Sequence, residues 1–206
     1  MHSSWIKYKK DYQSYLKIEK ALSPNSVEAY LRDVDKLIQY LEFIGSDKSA
    51  EQVKLKDLQD MIKWISEMGI SARSQARIIS GIRNFFFFLI LENTIKQDPS
   101  ELLELPKIGK KLPEVLSIEE IDGLKNAVDM SKKEGHRNRA IIETLYSCGL
   151  RVSELINLKI TNIYREEGFI RVIGKGNKER LVPLSRSVEN EIDIYQNMVR
   201  IHQAFP

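Results

Sequence analysis

Between Ser3 and Lys20 the apolar side chains Trp5, Tyr8, Tyr12, Tyr15 and Leu16 recur three and four positions apart, the spacing that gathers side chains on one face of a helix. A second helix is marked from its first residue: Ser23 offers an N-cap hydroxyl, and Pro24 suits the first helical position, where its missing N–H costs nothing. Val27, Tyr30, Leu31, Val34, Leu37, Ile38 and Leu41 then hold the helical period up to Gly45. Leu58, Met61, Ile62 and Ile65 predict a third helix that stops at Gly69, and Ser71 caps a fourth. The fourth carries a wide apolar stripe of Ile78, Ile79, Ile82, Phe85, Phe86, Leu89 and Ile90. Four helices joined by short loops predict a small bundle over residues 1–95. Tyr30 and the run Phe85 to Phe88 are read as core rather than as base-stacking groups.

Past Leu91 the periodicity lapses. Pro99, Pro106 and Pro113 bracket the basic run Lys107-Ile-Gly-Lys-Lys111, so residues 96–112 are expected to link two domains. Ser117 with Glu120 three places on forms a capping box, and Ile118, Ile121, Leu124 and Val128 are expected to be the buried side of the helix it starts. A further helix from about Asn138 to Tyr146 stops at Gly149, and Arg151 to Leu158 suits a short one. The period then shortens. Gly168 to Gly174 and Arg180 to Leu184 read as two strands joined by the turn Gly174-Lys-Gly-Asn-Lys178, a β-hairpin. Val188, Ile192, Tyr195, Val199 and His202 share one side of a last helix. The expected fold is mainly α: a four-helix bundle, then an α+β domain over 113–206 with a small antiparallel sheet.

Composition narrows the function. The 206 residues are 42% hydrophobic and 30% charged, as in ordinary globular domains, and the longest apolar run, Phe85 to Leu91, is too short to span a bilayer. The N-terminus has lysines and tyrosines where an export signal needs an apolar stretch, and Cys148 is the single cysteine. A reducing compartment, the cytoplasm, is the expectation. The net charge of +3 resides in the second half: residues 1–105 hold 15 basic and 15 acidic side chains, and 106–206 hold 17 and 14. From Glu67 to Glu92 no acid intervenes while Arg73, Arg77 and Arg83 do, and Ile170 to Arg186 sets five basic residues against Glu179. Both are candidate phosphate-facing surfaces or simply solvated faces.

Direct signs of other chemistry are weak. No phosphate-binding loop or dinucleotide glycine pattern occurs, and His2, His136 and His202 lack the spacing of metal ligands. A hairpin tip such as Lys175-Gly-Asn-Lys178 can enter a nucleic-acid groove, since glycine lets the backbone come close and lysines offer charge to phosphates, or it can be a plain turn.

Two longer motifs are more specific: Cys-Gly-Leu-Arg-Val-Ser-Glu-Leu at 148–155 and Ile-Gly-Lys-Gly-Asn-Lys-Glu-Arg-Leu-Val-Pro-Leu at 173–184. Together they resemble the tyrosine recombinase (phage integrase) family, most closely its bacterial Xer-type members. Ser23 to Tyr30 and Ser71 to Arg77 are similar to the family's SAM-like DNA-clamping domain, and Leu116 to Glu120 to the opening of its catalytic domain. The resemblance implies a tyrosine that attacks a DNA phosphodiester, forms a 3′-phosphotyrosyl bond and frees a 5′-hydroxyl, with neither metal nor cofactor. It implies double-stranded DNA recombination sites as partner, bound by a tetramer of like or sister protomers, and no membrane. Arg151 matches the first catalytic arginine, and a guanidinium can place two parallel hydrogen bonds on a phosphate in its transition state; the plainer reading is an arginine that caps or bridges a helix start. Glu154, three residues on, is either its holder or a surface ion pair. Lys175 matches the lysine that protonates the leaving oxygen, with Lys178 the nearby alternative. Ser71, Arg73, Ser74 and Arg77 at a helix start, with Lys178 and Arg180 on the hairpin, are the candidate DNA contacts.

The family's later His-x-x-Arg box and its nucleophilic tyrosine have no match here. His136-Arg-Asn-Arg139 has the letters of that box but precedes Arg151, and Tyr195 follows the hairpin too closely, so both are set aside. About half a catalytic domain is expected, with Ile192, Tyr195 and Val199 left exposed and no DNA cleavage by these residues alone. A DNA-binding module that occupies recombination sites without cutting, and a helical interaction protein without a nucleic-acid role, are the competing readings.

Overall fold

The computed structural model describes residues 3–109, 112–132 and 134–200; His2, Lys110, Lys111 and His202 lie outside them. The chain divides into two compact units, Met1–Lys111 and Leu112–Pro206.

The first unit contains α1 (Ser3–Ile18), α2 (Pro24–Phe43), α3 (Leu55–Glu67) and α4 (Ala72–Leu91). The caps fall where the serines predict. Ser23 Oγ accepts the amide of Ser26 at 3.4 Å, and Ser71 Oγ accepts that of Ser74 at 3.3 Å, each satisfying a donor that a helix start leaves unpaired. Aromatic side chains fill the centre. Phe85, Phe86 and Phe88 are buried while Phe87 faces solvent, because successive residues turn by about 100° around a helix and a run of four cannot all point inward. The Tyr12 ring meets Phe85 edge-on at 5.2 Å, and its hydroxyl donates to Asn84 Oδ1 at 2.8 Å, so the buried phenol keeps a partner.

A polar contact locks α2 to α4 inside this apolar packing. A Cβ on Gly81 would stand 2.1 Å from Asp33 Oδ2, so a larger residue cannot occupy that place without moving a helix. Asp33 is 2% exposed and paired with Arg77, one turn before Gly81: Nη1 donates to Oδ2 at 2.8 Å, and Nη2 lies 2.6 Å from Oδ1. Part of the segment that the sequence marks as linker keeps company with this unit. Ser100 and Leu103 are buried, and Arg83 Nη2 donates to the Leu103 carbonyl.

In the second unit α5 (Ile118–Asn126) opens with the predicted capping box: Ser117 Oγ accepts from the Glu120 amide at 3.2 Å, and Glu120 Oε2 accepts from the Ser117 amide at 2.7 Å. Its buried side is narrower than its pattern suggested. Ile121 is buried while Ile118 and Leu124 are exposed, and the helix is tied to α6 (Gly135–Cys148) by Lys125 Nζ, 2.9 Å from Glu143 Oε2. Gly149, at φ +57°, ends α6 in the left-handed conformation and turns the chain into α7 (Val152–Ile156).

The hairpin forms, and a third strand joins it. β1 (Ile163–Tyr164), β2 (Phe169–Ile173) and β3 (Glu179–Pro183) make an antiparallel sheet in that order, with Ile170 opposite Val182 and Val172 opposite Arg180. Finally α8 (Arg186–Met198) packs on α6. This corrects the expected exposure of this helix: Ile192 is buried, with Val188, against Cys148, Leu150, Ile170 and Val172, because α6 and the sheet already cover it, and Tyr195 and Val199 are half-buried. Arg139 Nε donates to Glu191 Oε1 at 2.8 Å and fastens the same helix pair.

Candidate active site and nucleic-acid interface

Glu154 is the centre of the most ordered polar cluster in the second unit. Arg151 occupies the N-cap of α7, and its amide donates to Glu154 Oε2 at 2.8 Å, so the carboxylate closes the helix start from inside. The Arg151 side chain then donates from Nη1 to Oε1, also at 2.8 Å. From across the sheet Arg180 reaches the same group, Nη1 to Oε1 and Nη2 to Oε2, both at 2.8 Å. Each carboxylate oxygen thus takes two donors.

Hydrogen bonds from Arg180, then from the Arg151 amide, hold the Glu154 carboxyl far below the ordinary carboxylate range. Its side chain is 3% exposed, yet its cover comes from these partners rather than from depth in the core. That excludes the loose surface ion pair as a description of Glu154. Arg151 is different: its side chain is 70% exposed, and among the described residues only Nη1 is engaged. A held guanidinium with free nitrogens facing solvent can receive an anion without first having to be ordered.

The hairpin tip adjoins this cluster. The Gly174 amide donates to the Lys178 carbonyl at 2.8 Å, closing a tight turn in which Gly176 has φ +74° and Asn177 φ +58°. Lys175 opens this turn. The Lys178 side chain is exposed, with no hydrogen bond or ion pair among the described residues. Gly174 has a steric task as well: a Cβ there would come to 3.1 Å from Glu154 Oε1 and 3.6 Å from Arg180 Nη1.

In the first unit the α4 start presents Ser71, Arg73 and Ser74 to solvent, with Ser71 Oγ donating to Ser74 Oγ at 3.1 Å. Arg73 is exposed and carries no partner among the described residues. Arg77, one turn on, is committed to Asp33.

Neither of the two sequences set aside bonds to Glu154 among the described residues. His136 lies in the first turn of α6 and Cys148 at its end, about 18 Å apart at 1.5 Å rise per residue. Tyr195 lines a pocket of about 310 Å³ with Ile141, Leu155, Ile156, Ile160 and Ile192, and Arg137, Gln196 and Arg200 line it too.

What sequence reasoning missed is the partner of Arg180. A signal existed. Arg180 alternates with Val182 on β3, opposite Val172 of β2, so it stands on the core-facing side of the hairpin, where a charge needs a partner.

Comparison with known proteins follows the same division. The phage integrase N-terminal SAM-like domain matches residues 10–93, and the phage integrase family matches residues 114–203. Tyrosine recombinase XerD of Staphylococcus haemolyticus (strain JCSC1435) is 41% identical over 192 residues, 92% of this chain and 64% of the relative. XerD of Staphylococcus aureus (strain N315) is 39% identical over 193 residues, with the same shares. The chain therefore spans 64% of the length of these curated relatives. Among solved structures, a lambda integrase tetramer bound to a Holliday junction has a TM-score of 0.75 at 18% identity, covering 95% of this chain and 57% of that one. The XerH recombinase bound to a palindromic difH substrate has a TM-score of 0.67 at 20% identity, covering 96% and 59%. At these identities the structures speak for the fold.

Proposed function

The chain belongs to the phage integrase family of tyrosine recombinases, and from that premise we propose that it acts in site-specific DNA recombination, binding a duplex recombination site and supplying part of the site that breaks and rejoins a strand. The observation that carries this reading is Arg151: its guanidinium is held through one nitrogen by a carboxylate that takes four hydrogen bonds, while its other guanidinium nitrogens have no partner among the described residues and the side chain is exposed. Such a group suits the negative charge that grows on a phosphodiester under attack. Lys175, on the adjoining turn, is the proton donor to the leaving 5′-oxygen, and Lys178 is a phosphate contact beside it. Glu154 holds Arg151. Ser71, Arg73 and Ser74 contact the DNA backbone, while Arg77 supports that helix start through Asp33.

The first unit is the DNA-clamping domain and the second the portion of the catalytic domain that carries Arg151 and Lys175. The nucleophilic tyrosine is assigned to none of the residues 1–206, and no metal or cofactor takes part. Partners are duplex DNA and further protomers of the same or a sister recombinase, in the cytoplasm.

Duplex affinity measured against salt tests this. Neutralising one phosphate contributes about 0.9 to the slope of log affinity on log salt, so Arg73→Ala and Arg151→Ala should each weaken binding and flatten the slope by about one such step. Affinity and slope unchanged in both variants would overturn the reading.

A further inference from the structure

Arg180 stands among basic residues on a hairpin, where a phosphate contact would be the ordinary assignment. Its geometry argues otherwise. Both terminal nitrogens are spent on Glu154, one on each oxygen, and strand alternation turns the side chain to the inner face of the sheet. Gly174 leaves the space this pairing needs, since a Cβ there would sit 3.1 Å from the Glu154 oxygen that both arginines share.

We propose that Arg180 is a positioning residue for Arg151. It fixes the plane of the Glu154 carboxylate, so that Arg151 can take Oε1 with Nη1 alone and keeps its remaining donors outward. A carboxylate and a guanidinium left to themselves prefer two parallel hydrogen bonds. Without Arg180, Glu154 turns both oxygens to Arg151 and draws those donors away from the DNA. Arg180 also ties strand β3, and with it one side of the lysine-bearing turn, to the helix that starts at Arg151. The proposal rests on Arg151 as a phosphate-binding residue.

The test is a double-mutant cycle on duplex DNA affinity, using the whole chain. Lysine at 180 keeps the charge but cannot span two oxygens. In the parent protein Arg151→Ala should lower affinity about tenfold, as loss of a charge-assisted contact does. In the Arg180→Lys background the same change should cost less than about twofold, because Arg151 has already lost its orientation. Arg73→Ala should cost the same in both backgrounds, which separates loss of position from general loss of fold. If Arg180→Lys lowers the unfolding midpoint, the E154Q/R180Q protein, which removes the covered charge with its partner and leaves no carboxylate to capture Arg151, serves as a control in which Arg151→Ala should again cost more than in the Arg180→Lys background. An equal loss on Arg151→Ala in both backgrounds would overturn the positioning role and leave Arg151 as a phosphate ligand. No loss on Arg151→Ala in the parent would remove the functional reading itself, and the positioning role with it.

Discussion

Arg180 grips Glu154 through two parallel hydrogen bonds, each 2.8 Å, although 26 residues separate them in the chain. The contact joins a strand to the first turn of a helix and leaves the guanidinium of Arg151, at that helix's N-cap, with one nitrogen held and the others without a partner among the described residues. A second paired arginine, Arg77 on Asp33, works in the first unit, where it braces helix against helix. On the proposed function the two pairs prepare different surfaces: one orders Arg151 for a phosphate, and the other steadies the helix that presents Arg73.

Gly81→Ala should destabilise the first unit by about 1–3 kcal/mol, the range for forcing an extra carbon into a packed site. The new carbon would fall on Asp33 Oδ2, so α2 and α4 must part or the ion pair must break. Denaturant unfolding checks this, and an unchanged midpoint would deny the close approach of the two helices.

Asp33 should make stability depend on pH in an uncommon direction. Burial, partly offset by Arg77 and Arg32, raises its carboxyl from the ordinary 3.8 to about 6, and Tyr12 from α1 also faces it. A group whose folded pKa is raised contributes most below its unfolded value and loses that contribution as pH climbs through the folded one. Lowering pH from 7.5 to about 5 should therefore stabilise the parent relative to Asp33→Asn. Urea midpoints of both proteins across that window read the difference, and a constant difference contradicts the assignment.

Tyr195→Phe should leave both stability and DNA chemistry alone. The hydroxyl has no hydrogen-bond partner among the described residues, and the ring lines a largely apolar pocket, so its loss should stay within about 0.5 kcal/mol. Incubation with a duplex nicked near the recombination point traps any covalent protein–DNA joint. Capture by the parent that vanishes in Tyr195→Phe would make Tyr195 the nucleophile after all.

The capping serines, the helical stripes and the glycine stops were legible because they are local: each is decided within one or two turns of chain. β1 escaped notice, since two residues cannot display an alternation, and its place rests on pairing Ile163 with Ile170. The inward face of α5 was read too wide, because periodicity reports which residues could be buried and not how much neighbouring chain covers them. Arg151, Glu154 and Lys175 stood out through their motifs. The pairs Arg180–Glu154 and Arg77–Asp33, 26 and 44 residues apart, depend on how a strand or helix docks on another element, and that is a tertiary fact. Burial of Ile192 has the same origin, for α6 and the sheet supply the cover.

The most direct test is a crystal structure of the chain on a duplex recombination site. The account predicts a phosphate oxygen about 2.9 Å from the free nitrogens of Arg151, with Arg151 Nη1 still on Glu154 Oε1 and Arg180 still on both oxygens. A phosphate seated on Arg180, or Arg151 folded back onto both oxygens of Glu154 with DNA present, would contradict it.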